Sequence, residues 1–268
     1  MAVGLVLLAG CGLSDGARTA APVGAVPSAT VPTPATPGGT ATPATPESSA
    51  TPTIPGSETR SPSSVAPTVP AILRPGDIGP AVLALQRELA AAGYWLGDPD
   101  GTYGLLTQQA VFALQKAAGL QRDGLAGVAT RRALAAGTRP AGRSHSGGVI
   151  EIDTGRQLVL VVRDGRIEQI FNTSTGSNQW YTVGGVRHLA DTPKGTWKIL
   201  WQVNGIDHGP LGDLYRPKYF NPDGIALHGY PQVPPYPASH GCVRLTDVAM
   251  DWMWSSGVAE PGTTVLVY

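Results

Sequence analysis

Apolar and polar positions follow three different rules along this chain. Between Leu73 and Ala136, Val82, Leu85 and Leu89 recur at helical spacing, with Gly93 as a stop signal. Asp77 and Pro80 suit the start of that helix. A second helix is predicted over about 107–118, with Val111 and Leu114 inward and Gly119 as its stop, and a third over about 127–135. From Val149 the pattern turns strand-like. Leu158 to Val162 is an apolar run, Ile167 to Phe171 alternates, and Asp164-Gly165 between them predicts a hairpin. Further strands are predicted over 196–203, 225–227 and 263–267. One more helix follows Leu245, with Thr246 as cap, Asp247 complementing its dipole and Gly257 closing it. The fold class is therefore multidomain: a small three-helix bundle, then a mostly β domain.

An internal repeat supports the helical parsing. Asp100-Gly101-x-x-Gly104-x-x-Thr107 recurs as Asp123-Gly124-x-x-Gly127-x-x-Thr130, each copy supplying a turn and then a helix start. Three such helices make a unit small but able to fold alone. Residues 12–72 show neither period. Their Thr-Pro and Ala-Pro steps bury too little apolar area to offset ordering entropy, and proline keeps them extended, so they read as a tether. The segment 138–147, with Gly, Ser and Arg, reads as a linker.

Composition narrows the class of function. Net charge is zero over 268 residues and only 14% are charged, so nothing points to a broad electrostatic grip on nucleic acid. The two cysteines, Cys11 and Cys242, are separated by a flexible tract and are not spaced like a disulfide framework; each needs its own explanation. Val3 to Leu8 is an apolar run, too short to span a bilayer but long enough for the core of an export signal, and no basic residue precedes it.

Candidate chemistry concentrates in Ile225-Ala226-Leu227-His228-Gly229 and Ser239-His240-Gly241-Cys242-Val243-Arg244-Leu245. Acyl transfer to sulfur needs a thiolate, and a free thiol is only a few per cent ionised at neutral pH, so a neighbouring imidazole must take the proton. That base must be held in one tautomer, and the tetrahedral intermediate needs backbone N–H donors. Glycine before the nucleophile permits the sharp bend that brings an amide to substrate. Arg244 suits a substrate carboxylate. Two other readings stand beside this one: Cys242 as a plain buried thiol, and a zinc site from His228, His240 and Cys242, although neither His-x-x-x-His nor Cys-x-x-Cys spacing is present.

Three resemblances sharpen these expectations. Leu8-Ala9-Gly10-Cys11 resembles the lipobox of bacterial lipoproteins, which implies a signal over 1–11, a lipid on Cys11 and a membrane-anchored, extracytoplasmic protein facing the cell wall. Residues 73–137, with Leu85-Gln86, Gly93-Tyr94 and both Asp-Gly repeats, resemble the three-helix peptidoglycan-binding domain. His228-Gly229 and Ser239-His240-Gly241-Cys242-Val243-Arg244-Leu245, together with Ser174-Thr175-Gly176 and Thr192-Pro193-x-Gly195-Thr196, resemble the YkuD-type L,D-transpeptidases over 148–268. That resemblance implies a β-sandwich-like fold with one or two helices and no metal or cofactor. It implies Cys242 as acylated nucleophile, and His228 as base oriented by a carbonyl, that of Gly229. Amides of Gly241 and Cys242 would form the oxyanion hole, with His240 lining the site and Ser239 and Arg244 supporting or binding substrate. The partners implied are the stem peptides of peptidoglycan, donor and acceptor, linked through their third residues. Water as acceptor would make an L,D-carboxypeptidase, and an inert site a wall-binding adaptor. Two departures bear on the acceptor side: Tyr230 stands where many members have Thr, and the short spacer holds Pro231, Pro234, Pro235 and Pro237. His208 is expected in a glycine-bearing lid loop, His145 in the linker and His188 in a loop.

Overall fold

The computed structural model describes residues 72–268; the expected export signal, Cys11 and all but the last residue of the tether lie outside the described residues. Three helices come first: α1 (Pro80–Ala91), α2 (Leu105–Ala117) and α3 (Val128–Ala135). Pro80 opens α1, but Gly79 holds the cap position; Asp77 instead accepts the Arg74 amide at 2.9 Å.

The Asp-Gly repeat is a polar clamp used twice. Gln86 Nε2 donates to Asp100 Oδ1 (2.8 Å) and Thr107 Oγ1 (2.8 Å), while its Oε1 accepts from Gly101 N (2.7 Å). Gln115 does the same with Asp123 Oδ1 (2.7 Å), Thr130 Oγ1 (3.2 Å) and Gly124 N (3.0 Å). Both glutamines are buried, where an unpaired amide would cost about 1–3 kcal/mol, so each repeat must supply every partner. The threonines are thus clamp members inside their helices, and α2 starts two residues earlier than the expected Thr107.

The β region begins with β1 (Gly148–Asp153), β2 (Leu158–Arg163) and β3 (Arg166–Asn172), followed by β4 (Trp180–Val183) and β5 (Val186–Leu189). Next come β6 (Gly195–Lys198), β7 (Trp201–Gln202), β8 (Ile206–Gly209), β9 (Gly212–Tyr219) and β10 (Ala226–Gly229). The chain ends with β11 (Val243–Leu245), α4 (Asp247–Ser255) and β12 (Thr264–Val267). One sheet runs β3-β2-β1-β12-β6; a second runs β11-β10-β9-β7 with β8 on β9; β4 and β5 form a separate ribbon. Asp164 and Gly165 both take positive φ, as a two-residue hairpin of this twist requires. The Thr246 hydroxyl caps α4 by accepting from Ala249 N. The strand predicted over 196–203 is broken into β6 and β7, and the hairpins β4–β5 and β8–β9 occupy segments read as loops.

Two apolar cores share one sheet. Ile150, Val159, Val161 and Phe171 pack with Leu227, Val243, Met250 and Met253 of the second sheet and α4. Leu158, Leu160, Val162 and Ile170 pack instead with Leu85, Leu89, Val111 and Leu114 of the helices. That is why 158–162 reads as one continuous apolar run: both faces of β2 are covered. The helical unit, expected to stand alone, is therefore built onto the sheet. Trp95 N donates to Ile170 O (3.0 Å) and Ile170 N to Gly93 O (2.8 Å). Lys116, 2% exposed, donates to the carbonyls of Gln157 (2.9 Å) and Thr173 (2.8 Å), and burial holds its ammonium well below its usual value. The expected linker is tied down as well, with Arg143 N and Ser144 N donating to the buried Glu151 carboxylate.

Candidate active site

The site is assembled by a parallel strand pair. β10 and β11 align Leu227 with Val243, His228 with Arg244 and Gly229 with Leu245. Cys242 is thereby the residue at the foot of β11, next to β10. On the other side of β10 the register with β9 slips between Leu227 and Gly229, and Arg216 takes φ of 47° before Pro217. This bulge lies opposite His228, a placement that re-aims a side chain.

His228 is buried, and its Nδ1 lies 2.8 Å from Gly229 O. A carbonyl only accepts, so Nδ1 carries the proton and Nε2 keeps the lone pair. Gly229 has no room for a side chain: a Cβ there would meet Asp247 Oδ1 at 2.5 Å and Tyr215 Cδ1 at 2.6 Å. Gly241 has φ of 144° and a Cβ would lie 2.8 Å from Asp191 O, so only glycine fits directly before Cys242. Ser239 closes that turn. Its hydroxyl donates to Cys242 O (2.6 Å) and accepts from Gly241 N (3.0 Å). Ser239 therefore shapes the loop, and the Gly241 amide, expected to be free for an oxyanion, is engaged with it. Thr192 Oγ1 adds a donor to Gly241 O at 2.6 Å.

The Ser174-Thr175-Gly176 segment acts as the rail for this loop. Ser174 O accepts Arg244 N (3.0 Å), and Thr175 O accepts Ser239 N (3.0 Å). Thr173 Oγ1 donates to Arg244 O at 2.8 Å.

Cys242, His228, His240, Ser239 and Arg244 share one cavity of about 460 Å³. Its far wall is the β8–β9 hairpin, through Gly209, Leu211 and Leu214, with Tyr219 beside them. Sequence reasoning placed 204–209 as a lid but missed its second strand; the alternation of Tyr215, Pro217 and Tyr219 with Arg216 and Lys218 was the available signal. His208 is exposed at this hairpin, paired with Asp213 at 2.7 Å. His240 is exposed and lies edge-on to Tyr181 of β4, with centroids 4.6 Å apart; His188 stacks on the same Tyr181. His145 is exposed. Among the described residues no three His, Cys, Asp or Glu side chains come together to hold a metal. Gly241 and Gly229 serve by conformation and close approach.

Arg244 stands between two cavities. Its guanidinium lies 4.1 Å over the Tyr230 ring and donates to Ala238 O (3.2 Å), while Nε is buried without a partner among the described residues. Tyr230 and Arg244 also border a second cavity of about 520 Å³, otherwise lined by Pro231, Gln232, Pro234 and Ala238.

Electrostatics favour a neutral resting pair. Burial pushes the Cys242 thiol up, against smaller opposing pulls from the Ala226 amide and Arg244. Burial pushes His228 down to about 4, partly offset by the Gly229 carbonyl. Burial thus disfavours the charged form of each group, thiolate and imidazolium alike, which ties the transfer of the thiol proton to the attack itself.

A thiol and a tautomer-locked imidazole on adjacent parallel strands, at one cavity, are the parts of an acyl-transfer enzyme. The model of the YkuD L,D-transpeptidase catalytic domain matches residues 147–267, and that of a putative peptidoglycan binding domain matches residues 78–134. The crystal structure of an L,D-transpeptidase from Xylanimonas cellulosilytica DSM 15894 is 48% identical, with a TM-score of 0.72, over 76% of this chain and 100% of that one. The N-acetylmuramoyl-L-alanine amidase CwlL of Bacillus licheniformis is 48% identical over 80 residues, 29% of this chain and 22% of the amidase. A probable N-acetylmuramoyl-L-alanine amidase of the same organism is 43% identical over 93 residues, 34% of this chain and 25% of its own. The chain thus spans about a quarter of the length of those curated relatives. The chain belongs to the L,D-transpeptidase family.

The His228 shift makes a stability prediction. Between about pH 6.5 and 4 the unfolded imidazole binds a proton that folded His228 refuses, so stability falls as pH drops through that window. Urea unfolding at pH 7 and pH 4.5 should give a pH-dependent loss smaller by about 2–3 kcal/mol in His228→Gln than in wild type. Equal losses in the two proteins would show that His228 is not buried neutral.

Proposed function

We propose that the protein is a cell-wall L,D-transpeptidase in which Cys242 is the nucleophile and His228 the general base and acid. The observation that carries this reading is that Cys242, at the foot of β11, and His228 of the adjacent β10 line one cavity, with His228 Nδ1 locked on Gly229 O. In the first step Nε2 of His228 takes the thiol proton as sulfur attacks the carbonyl of the third residue of a stem tetrapeptide. The S–C bond forms, the peptide C–N bond breaks, and His228 returns the proton to the departing D-alanine amine. In the second step an amine of a neighbouring stem attacks the thioester. The C–N bond forms, C–S breaks, and the amine proton passes through His228 to sulfur.

The oxyanion of each step falls to the Cys242 amide, with the Gly241 amide available only if it leaves Ser239 Oγ. Arg244, which borders both cavities, binds a carboxylate of substrate. The helical unit at 73–137 holds the enzyme to the wall, 12–72 is the tether, 138–147 joins the units, and 148–268 is catalytic. Cys11 carries the lipid anchor that keeps the protein at the membrane, outside the cytoplasm.

Incubating residues 72–268 with tetrapeptide muropeptides should give crosslinked dimer by mass. Tripeptide alone would mean a hydrolase, and no product an inert adaptor. Cys242→Ala should lose both product and the thioester adduct with a carbapenem; an adduct that persisted would remove Cys242 from the mechanism. For the anchor, Cys11→Ala in the full chain should move the protein out of the membrane fraction, and its staying there would refute lipidation at Cys11.

A further inference from the structure

The Pro-rich segment after Gly229 walls the second cavity, and its own backbone is poorly able to hold it. Pro231, Pro234, Pro235 and Pro237 carry no amide N–H, so the segment is held largely through its carbonyls. Val233 O accepts from Gln109 Nε2 (3.0 Å) and Asn172 Nδ2 (3.3 Å). Pro235 O accepts from Arg122 Nη1 at 3.0 Å, and Tyr236 O from Ser174 Oγ at 2.8 Å.

Two of these donors belong to the helical unit. Gln109 lies on α2, and Arg122 follows that helix. Gln109 is buried, and its Oε1 is taken by Asn172 Nδ2 at 2.5 Å, so its amide is fixed with Nε2 toward Val233 O. Neither residue borders the cavity that holds Cys242. The wall they fix offers no thiol, imidazole or carboxylate, only Tyr230, prolines, Gln232, Ala238 and the shared Arg244.

We propose that Gln109 and Arg122 are positioning residues for the second substrate. By fixing the carbonyls of Val233 and Pro235, which flank the lining residue Pro234, they set the cavity through which the acceptor stem presents its amine, and so the share of thioester taken by amine instead of water. This rests on the acyl-transfer reading above. With an amine seated, its nitrogen attacks, C–N forms and C–S breaks, and its proton passes through His228 to sulfur. With the wall displaced, water takes the same route and the products are free tripeptide and thiol. Acylation, which uses the first cavity, is untouched. The helical unit is then part of the acceptor site as well as of the common core.

The test uses the full chain with Arg122→Ala, Arg122→Lys and Gln109→Met, measuring carbapenem acylation rate and the dimer-to-tripeptide ratio from tetrapeptide muropeptides. Arg122→Ala should acylate within about twofold of wild type while its dimer-to-tripeptide ratio falls about fivefold or more, and Arg122→Lys, which can still donate to Pro235 O, should recover most of the ratio. Gln109→Met should act in the same direction; if it does not fold, the half-buried Arg122 still decides the matter. An unchanged ratio in Arg122→Ala, a parallel fall of acylation and transfer, or a wild type that acylates but makes only tripeptide would each overturn the proposal. A wild type that fails to acylate would instead overturn the acyl-transfer reading.

Discussion

The parallel pairing of β10 with β11 is the constraint on which the rest of the site depends. Parallel neighbours cannot be joined by a tight turn; the chain must leave, cross and return. The segment 230–242 makes that crossing, and its return delivers Gly241 and Cys242 to the foot of β11. Every other feature serves this register. The β9 bulge faces His228, the Gly229 carbonyl fixes its tautomer, and the Ser239 hydroxyl closes the turn. A slip of one residue would put Cys242 on the opposite face of its strand from the cavity.

The same pairing explains why the helices are part of the enzyme. A crossing rich in proline has few amides with which to hold itself, so its carbonyls reach to neighbours. Those neighbours are α2, the residue Arg122 after it, and the Ser174-Thr175-Gly176 rail. The rail is itself held from the helical side: Lys116 grips the Thr173 carbonyl, and the Gln157 side chain clamps Thr175. A buried lysine is tolerated only when its donors are used, and here two carbonyls from different strand ends take them. The apolar counterpart is β2, whose Leu158, Leu160 and Val162 complete the helical core while Val159 and Val161 complete the other.

Much of this was legible in the sequence, for stated reasons. Helical spacing located α1 to α3, and Asp164-Gly165 located the β2–β3 hairpin because both residues tolerate positive φ. Glycine before Cys242 and an apolar run ending at His228 marked the chemistry. Other features were hidden because they depend on partners distant in the chain. The run at 158–162 carries no sign that one face lies under helices, and Thr107 reads as a helix start because its partner Gln86 is 21 residues away in the chain. The β4–β5 and β8–β9 hairpins were missed because β5 and β8 are exposed on most positions, leaving one strand of each pair with little alternation to read. Neither the engaged Gly241 amide nor the pull of burial against the charged thiol and imidazole could be read from residue types, since they follow from one hydroxyl's position and from packing.

Acyl transfer from a thiol and imidazole that burial keeps uncharged differs from transfer by a standing ion pair, and a thiolate titration separates the two. Residues 72–268 contain Cys242 as their sole cysteine, so the ultraviolet thiolate absorbance of wild type minus Cys242→Ser reports one group. With burial pushing the thiol up, no thiolate should form at pH 7 and ionisation should come only above the ordinary thiol value of about 8.5. A thiolate already formed at pH 6 to 7 would mean a standing ion pair with His228, and would contradict transfer from an uncharged pair.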